Sequence, residues 1–125
     1  MKRLLCVCLF FSLNSGALFA QTEVAVDSIS FGRASYYHDK FVGRKTSNGE
    51  VFSQQKFTAA HKTLPMGTYV KVTNLKNRES VIVVINDRLP PHSKRTIDLT
   101  KAAARELKML KSGVVKVSLE IVEKP

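Results

Sequence analysis

Four side chains stand where acid, base or sugar chemistry could occur. Glu50 ends a loop directly after Asn48-Gly49, and His61 follows the small residues Thr58-Ala59-Ala60. Asp87 comes just after the unbroken apolar run Val81-Ile82-Val83-Val84-Ile85 and sits beside Arg88. Asp98 lies two residues before Thr100, a plausible helix cap. A carboxyl at the mouth of a hydrophobic strand is partly desolvated, which raises its pKa and suits a general acid. The competing reading of Asp87 is an Asx-type turn before Pro90-Pro91, and on context alone the turn weighs more. Asp98 is sufficiently explained by the helix N-terminus or by a pair with Arg95, and is read as structural. His61 is either a satisfied buried histidine or a group that orients a sugar or a carboxylate. Glu50 is either a solvated loop acid or part of the same chemistry. Tyr36 and Tyr37 are either core or a platform on which a sugar ring stacks. His38 and His92 have no partner at matching spacing. No HExxH or other metal-ligand spacing occurs, so neither a metal nor a cofactor is expected.

The elements that must position these residues are short. Residues 31–37 are aromatic and small, compatible with a strand, and a second short strand is expected around residues 57–59. Residues 38–50 are rich in Gly, Lys, Ser and Asn and read as a long loop. Leu64-Pro65-Met66-Gly67 is a turn signal. In residues 69–75, Val70 and Val72 alternate with Lys71 and Thr73, a half-buried strand. A turn follows at 74–78, with Asn77 suited to a left-handed conformation. The β-branched run 81–85 reads as a strand covered on both sides, and residues 86–94 as a loop with two prolines. Thr100 caps a helix whose apolar stripe is Ala103, Leu107 and Leu110. Lys108 and Lys111 suit its C-terminal end and Gly113 its stop. Val115, Val117, Leu119 and Ile121 then alternate with Lys116, Ser118 and Glu120, a last strand with one wet face. Several short strands with one or two helices suggest a small closed barrel.

The chain of 125 residues carries 20 Lys+Arg against 10 Asp+Glu, a net charge of +10. With 44% hydrophobic residues it can bury a core, so disorder and low complexity are excluded for its body. Its length fits one domain rather than separate cofactor and substrate domains. Met1-Lys2-Arg3, the apolar stretch Leu4 to Leu13 and the exit Ala17-Leu18-Phe19-Ala20 describe a secretory signal peptide over residues 1–20, cleaved after Ala17 or Ala20. A retained membrane anchor is the lesser reading, because the apolar run is about half a bilayer span. Residues 21–30 form a polar lead-in, and the domain proper is expected over residues 31–123. Both cysteines, Cys6 and Cys8, fall in the leader, so no disulfide, thiolate metal site or cysteine nucleophile is expected in the mature protein. Loss of Lys2 and Arg3 with the leader lowers the charge from +10 to +8. Such a field attracts polyanions, of which cell-wall polymers and lipid head groups suit an exported protein best. No basic run interleaved with aromatics and no nucleic-acid-binding motif is present, so nucleic acid is not expected as a partner.

Taken together, six ordered blocks resemble the rare lipoprotein A family. They are Gly32-Arg33-Ala34-Ser35-Tyr36-Tyr37, the stretch from Gly43-Arg44-Lys45-Thr46 to Asn48-Gly49-Glu50, Thr58-Ala59-Ala60-His61-Lys62-Thr63-Leu64-Pro65-Met66-Gly67, Val72-Thr73-Asn74-Leu75, Ile85-Asn86-Asp87-Arg88, and Arg95-Thr96-Ile97-Asp98-Leu99-Thr100 with Ala102-Ala103. The likeness spans residues 32–122. It implies a mainly β fold, a six-stranded double-psi β-barrel related to expansins and to family 45 glycosidases. It also implies a periplasmic or secreted lytic transglycosylase that cuts the β-1,4 bond between N-acetylmuramic acid and N-acetylglucosamine in peptidoglycan, in some members on peptide-free glycan. The family's acidic and histidine positions fall on Glu50, His61 and Asp87. Tyr36, Tyr37, Asn86 and Arg88 are then expected along the sugar, with Arg88 as the best candidate to meet the lactyl carboxylate.

The alternative function is an expansin-like module that grips cell-wall polysaccharide without cutting it. Stable membrane insertion after leader cleavage is not expected, and a cell-division protein is left open as a partner. The expected architecture lacks the lipid-attachment cysteine and the glycan-binding SPOR domain of some relatives. Three positions depart from the family pattern. Leu89 stands where Gly usually follows Asn-Asp-Arg, Pro91 where an aromatic is frequent, and Lys94 where Gly is common. Leu89 does not readily take a positive φ, so the Asp87 loop is expected to differ in shape.

Overall fold

The computed structural model describes residues 29–125. The expected leader, its cleavage sites and most of the lead-in lie outside the described residues. Among the described residues the strands are β1 (Ile29–Tyr36), β2 (Thr58–His61), β3 (Tyr69–Asn74), β4 (Ser80–Arg88), β5 (Ile97–Leu99) and β6 (Val115–Val122). One helix, α1 (Lys101–Glu106), and a 3-10 turn at Asp39–Phe41 complete them. The strands close into a barrel in the order β1-β5-β2-β4-β3-β6. The pairs β1/β5 and β2/β4 are parallel, and the remaining pairs are antiparallel. This is the six-stranded barrel that the sequence blocks imply.

Alternation explains the inside of the barrel. Val70, Val72, Val83, Ile85, Ile97, Leu99, Val117 and Leu119 point inward, and Leu107 and Met109 pack against them. Burial of that apolar surface is the main stabilising term. β4 was expected to be covered on both sides, yet Ile82 is 36% exposed while Val81, Val83 and Ile85 are buried. A barrel has a single interior, and β-branched residues also suit the pleated outer surface. Gly32 sits where β1 passes the segment leading into β5. Any Cβ there would overlap the Thr96 side chain.

Three local expectations needed correction. The helix ends at Glu106 and does not run on to the residues before Gly113. Lys108 turns left-handed at φ 54, which lets Met109 enter the core. The Nδ2 groups of Asn74 and Asn77 donate to the Leu107 carbonyl at 3.0 and 3.1 Å, satisfying it from outside the helix. Arg78, not Asn77, holds the left-handed position of its turn, because the Asn77 side chain is engaged with Leu107. Finally, β4 continues through Asn86, Asp87 and Arg88, which had been read as loop. Parallel pairing with β2 keeps them extended.

That last stretch holds the feature that shapes the site. Ala59 pairs with Ile85, but Ala60 pairs with Asp87, so Asn86 is an extra residue in a β-bulge. Ile85 and Ala59 belong to the barrel interior, whereas Ala60 belongs to a second, outer cluster with Tyr37, Phe52 and Leu89. Simple alternation after Ile85 would turn Asp87 inward. The bulge shifts the phase by one residue and puts Asp87 on the outer face beside Ala60.

Candidate active site

Against this outer face lies a cleft of about 510 Å³, lined among others by Tyr37, Phe41, Asp87, Leu89, Arg95 and Asp98. Asp87 is its most elaborately held side chain. Oδ2 accepts from the Tyr37 hydroxyl at 2.5 Å. Oδ1 accepts from the Ser47 hydroxyl at 2.7 Å, the Ser47 amide at 2.9 Å and the Arg88 amide at 2.9 Å. Burial acts to raise the Asp87 pKa, but the donors, led by Tyr37 and Ser47, outweigh it and hold the carboxyl below its ordinary value. The expectation of a raised pKa from desolvation alone is therefore overturned for the free protein. Sequence context missed the four donors because two of the residues that supply them lie 40 and 50 positions away.

Tyr37 reaches the site through its hydroxyl. Its ring packs against Phe52 at 4.3 Å and Phe41 at 5.8 Å, and burial together with the Asp87 charge pushes its own pKa up. It is buried, so it does not present an open stacking face. Tyr36 donates its hydroxyl to the Leu110 carbonyl at 2.7 Å and packs on the barrel core while bordering the cleft.

Glu50 lies beside the cleft and is not among the residues lining it. Its Oε1 accepts from Asn48 Nδ2 at 2.7 Å and from Asn86 Nδ2 at 3.3 Å, and these bonds hold its pKa below the ordinary value. Gly49, at φ 92, makes the tight turn of this loop. The same loop delivers Ser47 to Asp87. Asn86 is buried and faces Glu50, away from the cleft lining, and its Oδ1 has no partner among the described residues. Glu50 and Asp87 are thus tied to neighbouring residues of one bulge.

His61 is buried, and its Nδ1 accepts the amides of Thr63 and Leu64, both at 3.0 Å. Burial is the main cause that lowers its pKa. No hydrogen bond joins its ring to Asp87 or Glu50 among the described residues. Arg88 borders the cleft, but its Nη1 donates to the carbonyls of His61 at 3.0 Å and Leu64 at 2.8 Å. That guanidinium braces the turn after β2.

Two departures from the sequence reading concern residues near Asp87. Leu89 has no positive φ, so the position does not require glycine. Its side chain is 5% exposed and packs with Tyr37, Phe52 and Ala60, adding an apolar wall next to Asp87. Asp98, read as structural, does pair with Arg95, at 2.7 Å. It also lines the same cleft as Asp87. No group of three or more His, Cys, Asp or Glu side chains that could hold a metal ion exists among the described residues.

The bulge thus presents a carboxylate on the wall of a cleft lined by both polar and apolar side chains. The family described as lytic transglycolase matches residues 29–119. Endolytic peptidoglycan transglycosylase RlpA of Pasteurella multocida is 53% identical over 106 residues, covering 82% of this chain and 36% of that protein. The enzyme of the same name from Neisseria meningitidis is 54% identical over 107 residues, covering 86% of this chain and 41% of that protein. The chain therefore spans well under half the length of these curated relatives. Among solved structures, a Streptomyces papain inhibitor superposes with TM-score 0.62 at 25% identity, covering 76% of this chain and 94% of that one. A Clavibacter michiganensis expansin superposes with TM-score 0.60 at 20% identity, covering 78% and 52%, a likeness of fold alone. With β1 to β5, most of β6 and the Asp87 bulge inside the matched span, the chain belongs to the lytic transglycolase family.

Proposed function

We propose that the protein is an endolytic peptidoglycan lytic transglycosylase acting outside the cytoplasm, in the periplasm or secreted, and that Asp87 is its catalytic carboxyl. The observation that carries this reading is the Asp87 carboxylate, held by four donors on the wall of a cleft able to take sugar rings. The longer relatives named as such transglycosylases, of which the chain covers 36% and 41%, support the reaction class.

The chemistry needs a proton on the leaving oxygen and support for an oxocarbenium-like centre at C1 of N-acetylmuramic acid. In the free cleft Asp87 is an anion. Two of its four donors come from Ser47, on an exposed loop. A glycan seated in the cleft competes with Ser47 and excludes water, and both changes raise the Asp87 pKa toward protonation. Protonated Asp87 gives its proton to the glycosidic oxygen as the C1–O bond breaks, which frees the 4-hydroxyl of N-acetylglucosamine. The C6 hydroxyl of the same muramic acid ring attacks C1 and returns its proton to Asp87. The products are a 1,6-anhydro end and a new glycan end, and no water is consumed.

Glu50 acts as a positioning residue by fixing the loop that carries Ser47. His61 acts likewise through the turn that Arg88 clamps. The test is incubation of purified protein and its Asp87→Asn variant with intact and peptide-stripped sacculi, read by product mass. The expected result is 1,6-anhydro muropeptides, lighter by one water than hydrolysis products, from the wild type and none from the variant. Reducing-end products would make the protein a hydrolase. Sacculus binding with no soluble product, unchanged by Asp87→Asn, would make it an expansin-like binding module.

A further inference from the structure

Asp87 has a counterpart on the same wall. Its register partner on β2 is Ala60, the partner of Ala60 on β5 is Asp98, and the partner of Asp98 on β1 is Ser35. Asp87, Ala60, Asp98 and Ser35 therefore form one row across four adjacent strands, and directly paired residues share a face. Two strand spacings, about 9.5 Å between backbones, separate the two aspartates. In that row Ala60 stands between them, buried with Tyr37 and Leu89, and both carboxylates line the cleft. Glu50 does not.

Asp98 is 8% exposed and its acceptors are specifically engaged. Oδ1 accepts from Ser35 Oγ at 2.5 Å and from Arg95 Nε at 2.7 Å. Among the described residues Oδ2 accepts only from Arg95 Nη2, at 3.1 Å, which leaves a lone pair for a ligand. The Arg95 side chain is 42% exposed and lines the cleft. A guanidinium has five N–H donors, and Asp98 takes two of them. The pair thus offers the cleft one charged acceptor next to several free donors. An acetamido group carries the complementary set, an N–H beside a carbonyl. The protonated amine left by de-N-acetylation keeps donors for the carboxylate but has no acceptor for the guanidinium.

We propose that Asp98 and Arg95, braced by Ser35, form a subsite that reads the 2-acetamido group of an N-acetylhexosamine, and that Asp98 is the second carboxylate that touches the glycan. The acetamido N–H donates to Asp98 Oδ2, and its carbonyl accepts from Arg95. This deepens the transglycosylase reading and rests on it for the identity of the polymer. It makes the N-acetyl group, rather than the sugar backbone alone, the feature that admits a strand to Asp87.

The experiment compares N-acetylated peptidoglycan glycan with the same glycan after de-N-acetylation. It uses two readouts. The first is kcat/KM of the wild type, Asp98→Asn, Arg95→Gln and Arg95→Lys. The second is direct binding of both glycans to the Asp87→Asn protein, alone and combined with Asp98→Asn, and does not depend on cleavage. The expected result is a wild-type preference for the acetylated strand of about tenfold (~1.4 kcal/mol) or more. Asp98→Asn and Arg95→Gln should abolish that preference by weakening the acetylated substrate alone, mainly through KM, and the binding arm should show the same loss. Arg95→Lys keeps a charge and guards against a variant that simply fails to fold. Equal use of both glycans by the wild type overturns the subsite. So does an Asp98→Asn defect of the same size on both glycans, which marks a structural role. If the wild type makes no 1,6-anhydro product but the binding preference and its loss are seen, the transglycosylase reading fails and the subsite stands.

Discussion

Replacing Tyr37 by Phe removes one hydroxyl and leaves the ring against Phe52 and Phe41. The lost contact is the only donor to Asp87 Oδ2 within the described residues, at 2.5 Å. A hydrogen bond to a charged group contributes about 1.5–3 kcal/mol. One pKa unit corresponds to ~1.4 kcal/mol. The cleft is open enough for water to take the vacated place in part, so the lower end applies, about 1.5 kcal/mol of lost support for the anion, and the Asp87 pKa rises. The direction follows from the opposing causes at this carboxyl. Burial already acts upward against an ordinary value of 3.8, and the donors alone bring the net shift down. Titration of the Asp87 carboxyl carbon by NMR in both proteins measures the change directly. Stability gives a second reading with a defined sign. A depressed carboxyl pKa contributes stability that is present above the unfolded-state value and is lost as pH falls through the folded-state value. Denaturant unfolding should therefore show Tyr37→Phe less stable than wild type at neutral pH, with that part of the difference closing once pH drops below the Asp87 titration. The limb of the activity profile on which Asp87 loses its proton should move to higher pH together with that titration. An Asp87 pKa that stays put or falls in the variant would refute the account of how this carboxyl is held.

Two further outcomes are expected. Glu50→Gln keeps an acceptor for Asn48 and Asn86 and should retain activity within a few-fold, whereas Glu50→Ala should lose about tenfold or more as the Ser47 loop loosens. Steady-state rates on peptide-stripped sacculi separate the two, and a Gln variant as dead as Asp87→Asn would give Glu50 a direct chemical role. His61 is held neutral by burial, so the unfolded chain binds its proton first as pH falls below the ordinary value of 6.5. Wild-type stability should accordingly decline between pH 7 and pH 5, and His61→Asn should flatten that slope in urea melts; an unchanged slope would place the titration elsewhere.

Legibility of the fold in the sequence tracked how local each determinant is. The alternation in β3 and β6, the Thr100 cap, which accepts from the Ala103 amide at 3.3 Å, and the turn at Gly67, φ 89, are decided within a few residues and were readable. β5 has three residues, too few to show a period, and it exists because β1 and β2 flank it. The end of α1 depends on Asn74 and Asn77, thirty or more positions upstream. For the site, Asp87 stood out because an acid directly follows a buried strand. The bulge at Asn86 that turns it outward is a property of pairing with β2, and no single-strand pattern carries it. Asp98 was assigned a helix N-terminal role or an Arg95 pair, since its place beside Asp87 is visible only once three strands are in register.

Every long contact of this cleft joins distant parts of the chain. Tyr37 meets Asp87 across 50 positions, Ser47 meets it across 40, and Ser35 meets Asp98 across 63. The two parallel strand pairs impose the same remoteness on the backbone, a topology that folds slowly because loop closure precedes its reward. The groove residues all precede position 99, but β6 pairs with both β1 and β3, so the barrel under them stays open until that last strand is in place. A chain folding from its N-terminus therefore completes the scaffold under Asp87 and Asp98 only when its final strand closes the ring.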